Sequence, residues 1–455
     1  MRINRRGFIL SASALAATAG RGIAASPMPE LVAAPSRAQL APDTYPDTAV
    51  WSYNGGIPGP EIRLPQGAEL TRRLVNNLPE ETSIHWHGIR IDNAMDGVPD
   101  LTQDAVAPGG SFDYAFRLPD AGTYWYHTHN RSWEQMARGL AGPLIVEEAD
   151  GPDVDADITL AVSDWRLTRE AAMSEDFGMM HDLSHAGRIG NLLTVNGAFE
   201  FRQGVKRGDR VRLRLINMAT ARILSLELPG FDGWIVALDG MPLETPQRAE
   251  RLTLAPAQRV DVIADVVAEE GGEANLVQFA RDGGFALSAF PVAAGGAARG
   301  TAPKPLPPNP VPEITLAEAR KTRLTMEGGA MGGLSAARYK GERLSMRDLV
   351  QQGQVWAFNG TAGLDEAPFF TLDRGEAIRM PMVNDTAFPH GIHLHGHHFR
   401  EVTAEGLGPW RDTILLDRGE TREIVLQGDN PGDWLLHCHM LGHQAAGMKT
   451  WFRVL

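Results

Sequence analysis

Gly208-Asp209-Arg210-Val211-Arg212-Leu213-Arg214-Leu215-Ile216-Asn217 opens on a turn residue, alternates charged with apolar side chains and ends on asparagine. A period of two marks a β-strand that turns one face to a core. The same frame recurs at Gly67–Asn76, with Leu70 and Leu74, and at Gly375–Asn384, with Ile378, Met380 and Met382. Nine residues separate the glycine from the asparagine in each copy. An Asn-Gly corner precedes each frame, at Asn54-Gly55, Asn196-Gly197 and Asn359-Gly360, and that dipeptide favours a tight two-residue turn. Copies about 140 to 165 residues apart are too long for a solenoid unit. Three related β-domains in tandem explain them, and the expected fold class is all-β, three sandwiches or barrels.

Composition sets the limits. The chain has 455 residues, room for roughly three domains, and 49 glycines with 30 prolines imply many turns and short strands. Residues 40–150 are read as the first domain, 155–295 as the second and 313–455 as the third. A proline-rich linker falls at 296–312, with six prolines within Pro303–Pro312. Residues 26–46 read as a Pro/Ala-rich lead-in, and Leu334–Leu349 is the best helix candidate. Arg5-Arg6-Gly7-Phe8, a weakly apolar run and Ala24-Ala25-Ser26 describe a twin-arginine export signal over 1–26, directing the protein to the periplasm. The net charge is −13, and loss of the four arginines before Ser26, with no acid, lowers it to −17. Such a surface argues against nucleic acid or an anionic membrane as partner. No apolar run is long enough for membrane insertion as a helix.

The histidines follow the repeat. Nine residues after Asn76 comes His85-Trp86-His87-Gly88, and nine after Asn384 comes His393-Leu394-His395-Gly396. The matching position of the middle copy reads Leu226-Glu227-Leu228 and carries none. Downstream, His127-Thr128-His129 lies 42 residues past His85, and His437-Cys438-His439 lies 44 past His393. Residues i and i+2 of a strand share a face, so each pair projects two imidazoles one way. Eight converge if the outer domains face each other about a local twofold. Imidazole suits zinc, copper, iron and nickel, and eight exceed one ion's needs, so a cluster is implied.

A second set surrounds Cys438, the only cysteine, with His390 before the third-domain pair and His443 and Met448 after the cysteine. Two imidazoles, a thiolate and a weak thioether are the ligands of a trigonal blue-copper centre. A structural zinc site has no use for Met448, and a cysteine nucleophile has no use for the flanking histidines.

These four motifs resemble those of the three-domain multicopper oxidases, laccase-like, over essentially the whole mature chain. The resemblance implies three cupredoxin-like Greek-key domains and four copper ions. By motif, His390, Cys438, His443 and Met448 would hold type 1 copper, and His85 with His393 type 2. His87, His127 and His439 would hold one type 3 ion, and His129, His395 and His437 the other. His181, His185, His397 and His398 receive no ligand role. The implied reaction takes single electrons from phenolic or aromatic amine donors at type 1 copper and reduces dioxygen to water at the trinuclear cluster. Cys438 is expected to conduct the electrons.

Asp96 stands where the family places a proton-relaying acid, although Asp96-Gly97 also reads as a turn. Several relatives have an acid directly after the second type 1 histidine; here that residue is Gln444, which cannot titrate. The type 1 edge around His390 and His443 is expected to be open to small donors. The alternative is a cuprous oxidase for copper tolerance, since Met173, Met179, Met180 and His181 and the trio Met326, Met331 and Met346 offer soft thioethers. A copper-free cell-division scaffold of the same fold would lack the ligand histidines. A nitrite reductase would lack the full set of four motifs.

Overall fold

The Asn-Gly corners and the glycine-to-asparagine frames have one purpose, repeated three times in the computed structural model, which describes residues 28–280 and 283–455. Asn54, Asn196 and Asn359 sit at φ 55°, 50° and 48°, and the glycines after them at 77°, 78° and 70°, the left-handed pair a type I′ turn requires. Each asparagine amide then binds a preceding strand. Nδ2 donates to the carbonyls of Glu30, Thr159 and Arg323, and Oδ1 accepts from the N–H of Val32, Ala161 and Thr325. The frames are the strands Glu69–Asn76, Arg210–Asn217 and Ala377–Asp385.

Their closing asparagines are buried and bond alike. Oδ1 accepts from the N–H two residues on, in Leu78, Ala219 and Thr386. Nδ2 donates to a nearby carbonyl, Glu80, Arg222 or Phe388, and to a distant one, Val106, Leu254 or Leu416. The repeat is thus a buried amide clasp at the end of one central strand per domain.

Two sheets face each other in each domain. In the first, Thr48–Tyr53, Glu30–Ala38, Glu69–Asn76 and Ser111–Arg117 lie in that order, opposite Ile62–Pro65, Ala141–Glu147, Gly122–His127 and His85–His87. The second pairs a six-stranded sheet centred on Arg210–Asn217 and Arg259–Val266 with a second sheet that is also six-stranded. In the third, a seven-stranded sheet around Ala377–Asp385 faces Thr371–Leu372, Lys449–Val454, Gly432–Cys438, His390–Leu394 and Thr413–Leu416. The all-β expectation holds. Buried side chains of the first and third domains form one continuous core, whereas the middle domain has its own around Leu213, Leu215, Val262 and Phe290.

Two local expectations fail. The supposed lead-in contains Glu30–Ala38, which pairs with Thr48–Tyr53 and, in parallel, with Glu69–Asn76. Pro35 is tolerated there because it faces Trp51, whose N–H goes to the Arg138 carbonyl instead. The helix expected at Leu334–Leu349 is mostly a hairpin, Ala336–Tyr339 against Glu342–Ser345, followed by the helix Met346–Gln351. Lys340 and Gly341, both at positive φ, make the turn that overrides the helical spacing. The export signal at 1–26 lies outside the described residues. Residues 294–315 contain no helix or strand, yet Asn309 is buried against the first domain, exchanging both amide hydrogen bonds with Ala121.

The charged positions of the opening stretch are not a solvated face. Arg212 is fully buried between Asp261 and Glu148, and Arg214 reaches Asp157, Asp261 and the Thr123 hydroxyl. These pairs form a polar seam between the first two domains. Asn217→Ala leaves buried carbonyls and an N–H without partners, so it should cost about 2–3 kcal/mol, read as a lower melting temperature. The Asn217 side chain bonds to none of the histidines, so metal content should stay at the wild-type level.

Candidate metal centres

Register places the histidine pairs side by side within each outer domain. His85 lies opposite His127 on adjacent antiparallel strands, and His393 lies opposite His437. The two edges then meet face to face. His85 stacks on His395 with ring centroids 3.9 Å apart, and His87 on His393 at 3.8 Å. The first ring of each His-X-His thus covers the second ring of the other, as a local twofold demands. All eight rings, His85, His87, His127, His129, His393, His395, His437 and His439, are buried there.

Hydrogen bonds choose which nitrogen stays bare. Nδ1–H of His85 donates to the Asp96 carbonyl (2.9 Å), that of His127 to Thr128 O (2.9 Å), that of His393 to Asp412 O (2.9 Å) and that of His437 to Cys438 O (3.0 Å). A carbonyl only accepts, so the proton sits on Nδ1 and the Nε2 lone pair is free. His395 Nδ1 donates to the Asp96 carboxylate at 2.9 Å. The freed nitrogens point at one another: His395 Nε2 is 3.1 Å from His437 Nε2, and His127 Nε2 is 3.4 Å from His439 Nε2. His85 Nε2, His129 Nε2, His393 Nε2 and both nitrogens of His87 have no hydrogen-bond partner at all. Bare buried nitrogens are costly. Pairs about 3.1–3.4 Å apart fit a cation about 2 Å from each.

Burial, followed by neighbouring imidazoles, pushes His127, His129, His395, His437 and His439 well below the ordinary histidine value. His87 and His393 are lowered too, by burial first. The rings are therefore neutral at neutral pH, as metal ligation requires. Asp96 is buried with its carboxylate 2.9 Å from His395 Nδ1 and 3.2 Å from His85 Nδ1. Gly97 follows at φ 81°, where a Cβ would strike the Ile84 carbonyl. The Asp-Gly turn is real, and it delivers the carboxylate to the rings.

The second centre lies at the end of the strand Gly432–Cys438. Cys438 Sγ is 3.6 Å from both His390 Nδ1 and His443 Nδ1, and those two nitrogens are 3.1 Å apart. His390 Nε2 bonds to the Thr386 hydroxyl (2.8 Å) and His443 Nε2–H donates to the His185 carbonyl (2.6 Å), so each ring turns its Nδ1 inward. With metal–nitrogen distances of about 2 Å and metal–sulfur of about 2.3 Å, the angles come to about 100° and 115°, close to a trigonal plane. Met448 is buried beside them, its carbonyl accepting from Cys438 N–H and its N–H donating to His443 O. Burial pushes the Cys438 thiol up to about 12 and lowers His443 to about 4, so an incoming cation must displace the thiol proton. His437-Cys438-His439 joins the two centres within three residues.

One expectation is not met. The rim of His390 and His443 is closed, both rings being fully buried. The helix Met180–Ser184 and His185 lie over His443, and Trp356 Nε1–H donates to Leu183 O (2.6 Å). His181 and His185 stack at 4.1 Å on that cover. His397 and His398 are buried near Asp429 and Asp412. Gln444 accepts from the Ser132 hydroxyl. Sequence reasoning missed Asp412, fully buried with a carboxylate oxygen 3.4 Å from His87 Nε2. No spacing marks it, since it trails His393 by 19 residues where Asp96 trails His85 by 11.

Family models described as multicopper oxidase match residues 35–151, 156–273 and 339–455. The chain is 30% identical to multicopper oxidase MmcO of Mycobacterium tuberculosis over 95% of its length and 87% of that protein. It is 29% identical to Laccase-1 of Botryotinia fuckeliana (88% and 78% covered) and 26% to a copper resistance protein A homolog of Pseudomonas syringae pv. tomato (89% and 88%). Among solved structures, Lac15 from a marine microbial metagenome superposes with a TM-score of 0.76 at 46% identity, covering 94% of this chain and all of that one.

The lowered imidazoles fix a pH dependence. Unfolded, such rings titrate near 6.5, whereas folded His443 does so at about 4. Below pH 6.5 the unfolded state takes up protons first, so stability is lost as pH falls from about 6.5 toward 4. His443 alone accounts for roughly 3 kcal/mol. The melting temperature of metal-free protein should drop steadily from pH 7 to pH 5, and a flat profile would contradict buried neutral rings.

Proposed function

The chain belongs to the multicopper oxidase family, and from that premise we propose which residues serve its chemistry and which donors it takes. Enzymes of this family hold one type 1, one type 2 and two type 3 coppers and couple donor oxidation to reduction of dioxygen to water. We assign His390, Cys438, His443 and Met448 to type 1 copper and His85 with His393 to type 2. His87, His127 and His439 take one type 3 ion, and His129, His395 and His437 the other. The observation that carries this assignment is the joining of a trigonal Cys/His/His set to eight bare, buried imidazoles by His437-Cys438-His439. Bound copper supplies the one-electron chemistry and the reduction of oxygen.

The residues do the rest. Cys438 is the covalent conductor, since its thiolate belongs to one centre and its neighbours on either side to the other. Backbone carbonyls hold His85, His127, His393 and His437 in the tautomer that presents Nε2, and burial keeps His127, His393 and His437 neutral. Asp96, within 3.2 Å of Nδ1 on two opposing rings, is placed to hand protons to the oxygen site. Gln444 takes no part in that traffic.

Phenolic and aromatic amine donors are the first reading, delivering electrons over the cover rather than to His443 itself. Cu(I) is the second, favoured by thioethers on that cover. Met179 and Met180 are exposed, Met331 is 79% exposed, and its neighbour Ala330 is hydrogen-bonded to Ser184. Soft sulfur selects cuprous ion. We further propose export to the periplasm by the arginine-pair signal; among the described residues no helix is long and apolar enough to cross a membrane. A copper-free scaffold gains no support, because it would carry so many unpartnered buried nitrogens at a cost and for no return.

Cys438→Ser is expected to abolish the blue absorption and the oxidation of a phenolic dye together; dye oxidation surviving the change overturns the electron route. Rates on a phenolic dye and on Cu(I) separate the two donor readings. A Met331→Leu/Met179→Leu variant should lower the Cu(I) rate about tenfold and leave the dye rate unchanged if cuprous ion docks on the cover.

A further inference from the structure

The middle domain supplies no histidine pair, yet one of its side chains reaches the eight-imidazole centre. Arg259 opens the strand Arg259–Val266 and is fully buried. Its fork donates from Nη1 and Nη2 to the two carboxylate oxygens of Asp412, at 2.9 and 2.6 Å. Nε donates to the Thr123 carbonyl (3.1 Å) and Nη1 also to Ala257 O (3.2 Å). One guanidinium thus binds the third domain, the first and its own. Asp239 holds the backbone behind it, accepting from Arg259 N–H with one oxygen and from Arg411 Nε with the other.

Asp412 in turn addresses the rings. Its carbonyl accepts from His393 Nδ1–H, and its Oδ1 lies 3.4 Å from His87 Nε2 and 3.5 Å from His393 Nδ1. Asp96 is its mate under the local twofold. Each aspartate gives its carbonyl to the first ring of its own His-X-His and its carboxylate to the second ring of the opposite one. Glycine at position 88 leaves room for the fork, since a Cβ there would lie 2.3 Å from Arg259 Nη2. A planar fork that bonds both oxygens fixes the carboxylate's rotation as well as its position.

We propose that Arg259 is a positioning residue, which through Asp412 sets the orientation of His87 and His393, so that the middle domain governs the geometry of a centre to which it gives no ligand. The proposal rests on reading that centre as the trinuclear copper cluster. A merely structural bolt between domains would, when loosened, weaken every copper and the fold together. A positioning residue weakens the cluster and spares the cysteine centre, which neither Arg259 nor Asp412 touches.

The test uses the copper-loaded full chain and its Arg259→Lys and Arg259→Gln variants, dialysed against graded chelator. Copper per molecule, blue absorption and the type 2 paramagnetic signal are read at each step. Wild type must hold four coppers, and failure there overturns the assigned function and this proposal with it. Both variants should keep the blue absorption and hold cluster copper 10- to 100-fold more weakly, the range for lost orienting partners. Lysine keeps the charge without the fork, so it should not rescue. Four retained coppers with an unchanged type 2 signal in either variant overturn the proposal, as does blue absorption lost in step with cluster copper. If Arg259→Gln does not fold, Arg259→Lys decides; if that variant also gives no folded blue protein, Arg259 is a folding residue and the proposal fails.

Discussion

Eight buried imidazoles sit in a seam between two domains, one nitrogen of most rings committed to a protein acceptor and another left without a protein partner. That state is expensive for a protein to hold, because a bare polar atom away from water normally finds a partner or a proton. The neighbouring rings make it harder, since protonating one repels protonation of the next. The chain meets the cost with rigidity. His85 and His127, like His393 and His437, are locked in strand register, the cores behind them are continuous across the two domains, and carbonyl groups rather than flexible side chains set most of the tautomers. The ring arrangement that metal ligation needs is thus held by the protein's own strands and hydrogen bonds.

Much of this was legible in the primary structure, because the domains are copies. The asparagine clasp at Asn76, Asn217 and Asn384 needs one residue type at one place, so its spacing survives where the surrounding sequence has diverged. The histidine pairs ride on the same ruler, which is why all eight, together with Cys438 and its partners, could be picked out by counting. Asp412 escaped because the ruler breaks there: Asp96 follows His85 by 11 residues, Asp412 follows His393 by 19, and only three-dimensional symmetry pairs them. Arg259 escaped for another reason, since it lies in the copy that lost the histidines and nothing nearby in the chain marks it.

Local patterns misled where tertiary partners overruled them. The alternating arginines 210, 212 and 214 look like a solvated strand face and are instead neutralised by acids at a domain boundary. Proline and alanine at 26–46 suggested a loose leader, while an inner strand takes in Pro35 opposite Trp51, whose N–H bonds elsewhere. The helical spacing of 334–349 yields to a single two-residue turn at Lys340-Gly341. The rim around His443 is closed by Trp356 of the third domain and by a middle-domain segment some 250 residues earlier in the chain, a contact that no local spacing announces.

The tie from His443 to the His185 carbonyl has a kinetic meaning. If His443 ligates copper as assigned, a reductant would stop at the outside of the turn that carries the His185 carbonyl, and charge would cross that hydrogen bond rather than a shared ligand. Rates then follow driving force, separation and fit to the turn's outer surface, and the lone-pair chemistry of the donor counts for little. His390 and His443, each tied at Nε2, would shift little when charge arrives at a metal held between their Nδ1 atoms, which would keep the nuclear rearrangement small.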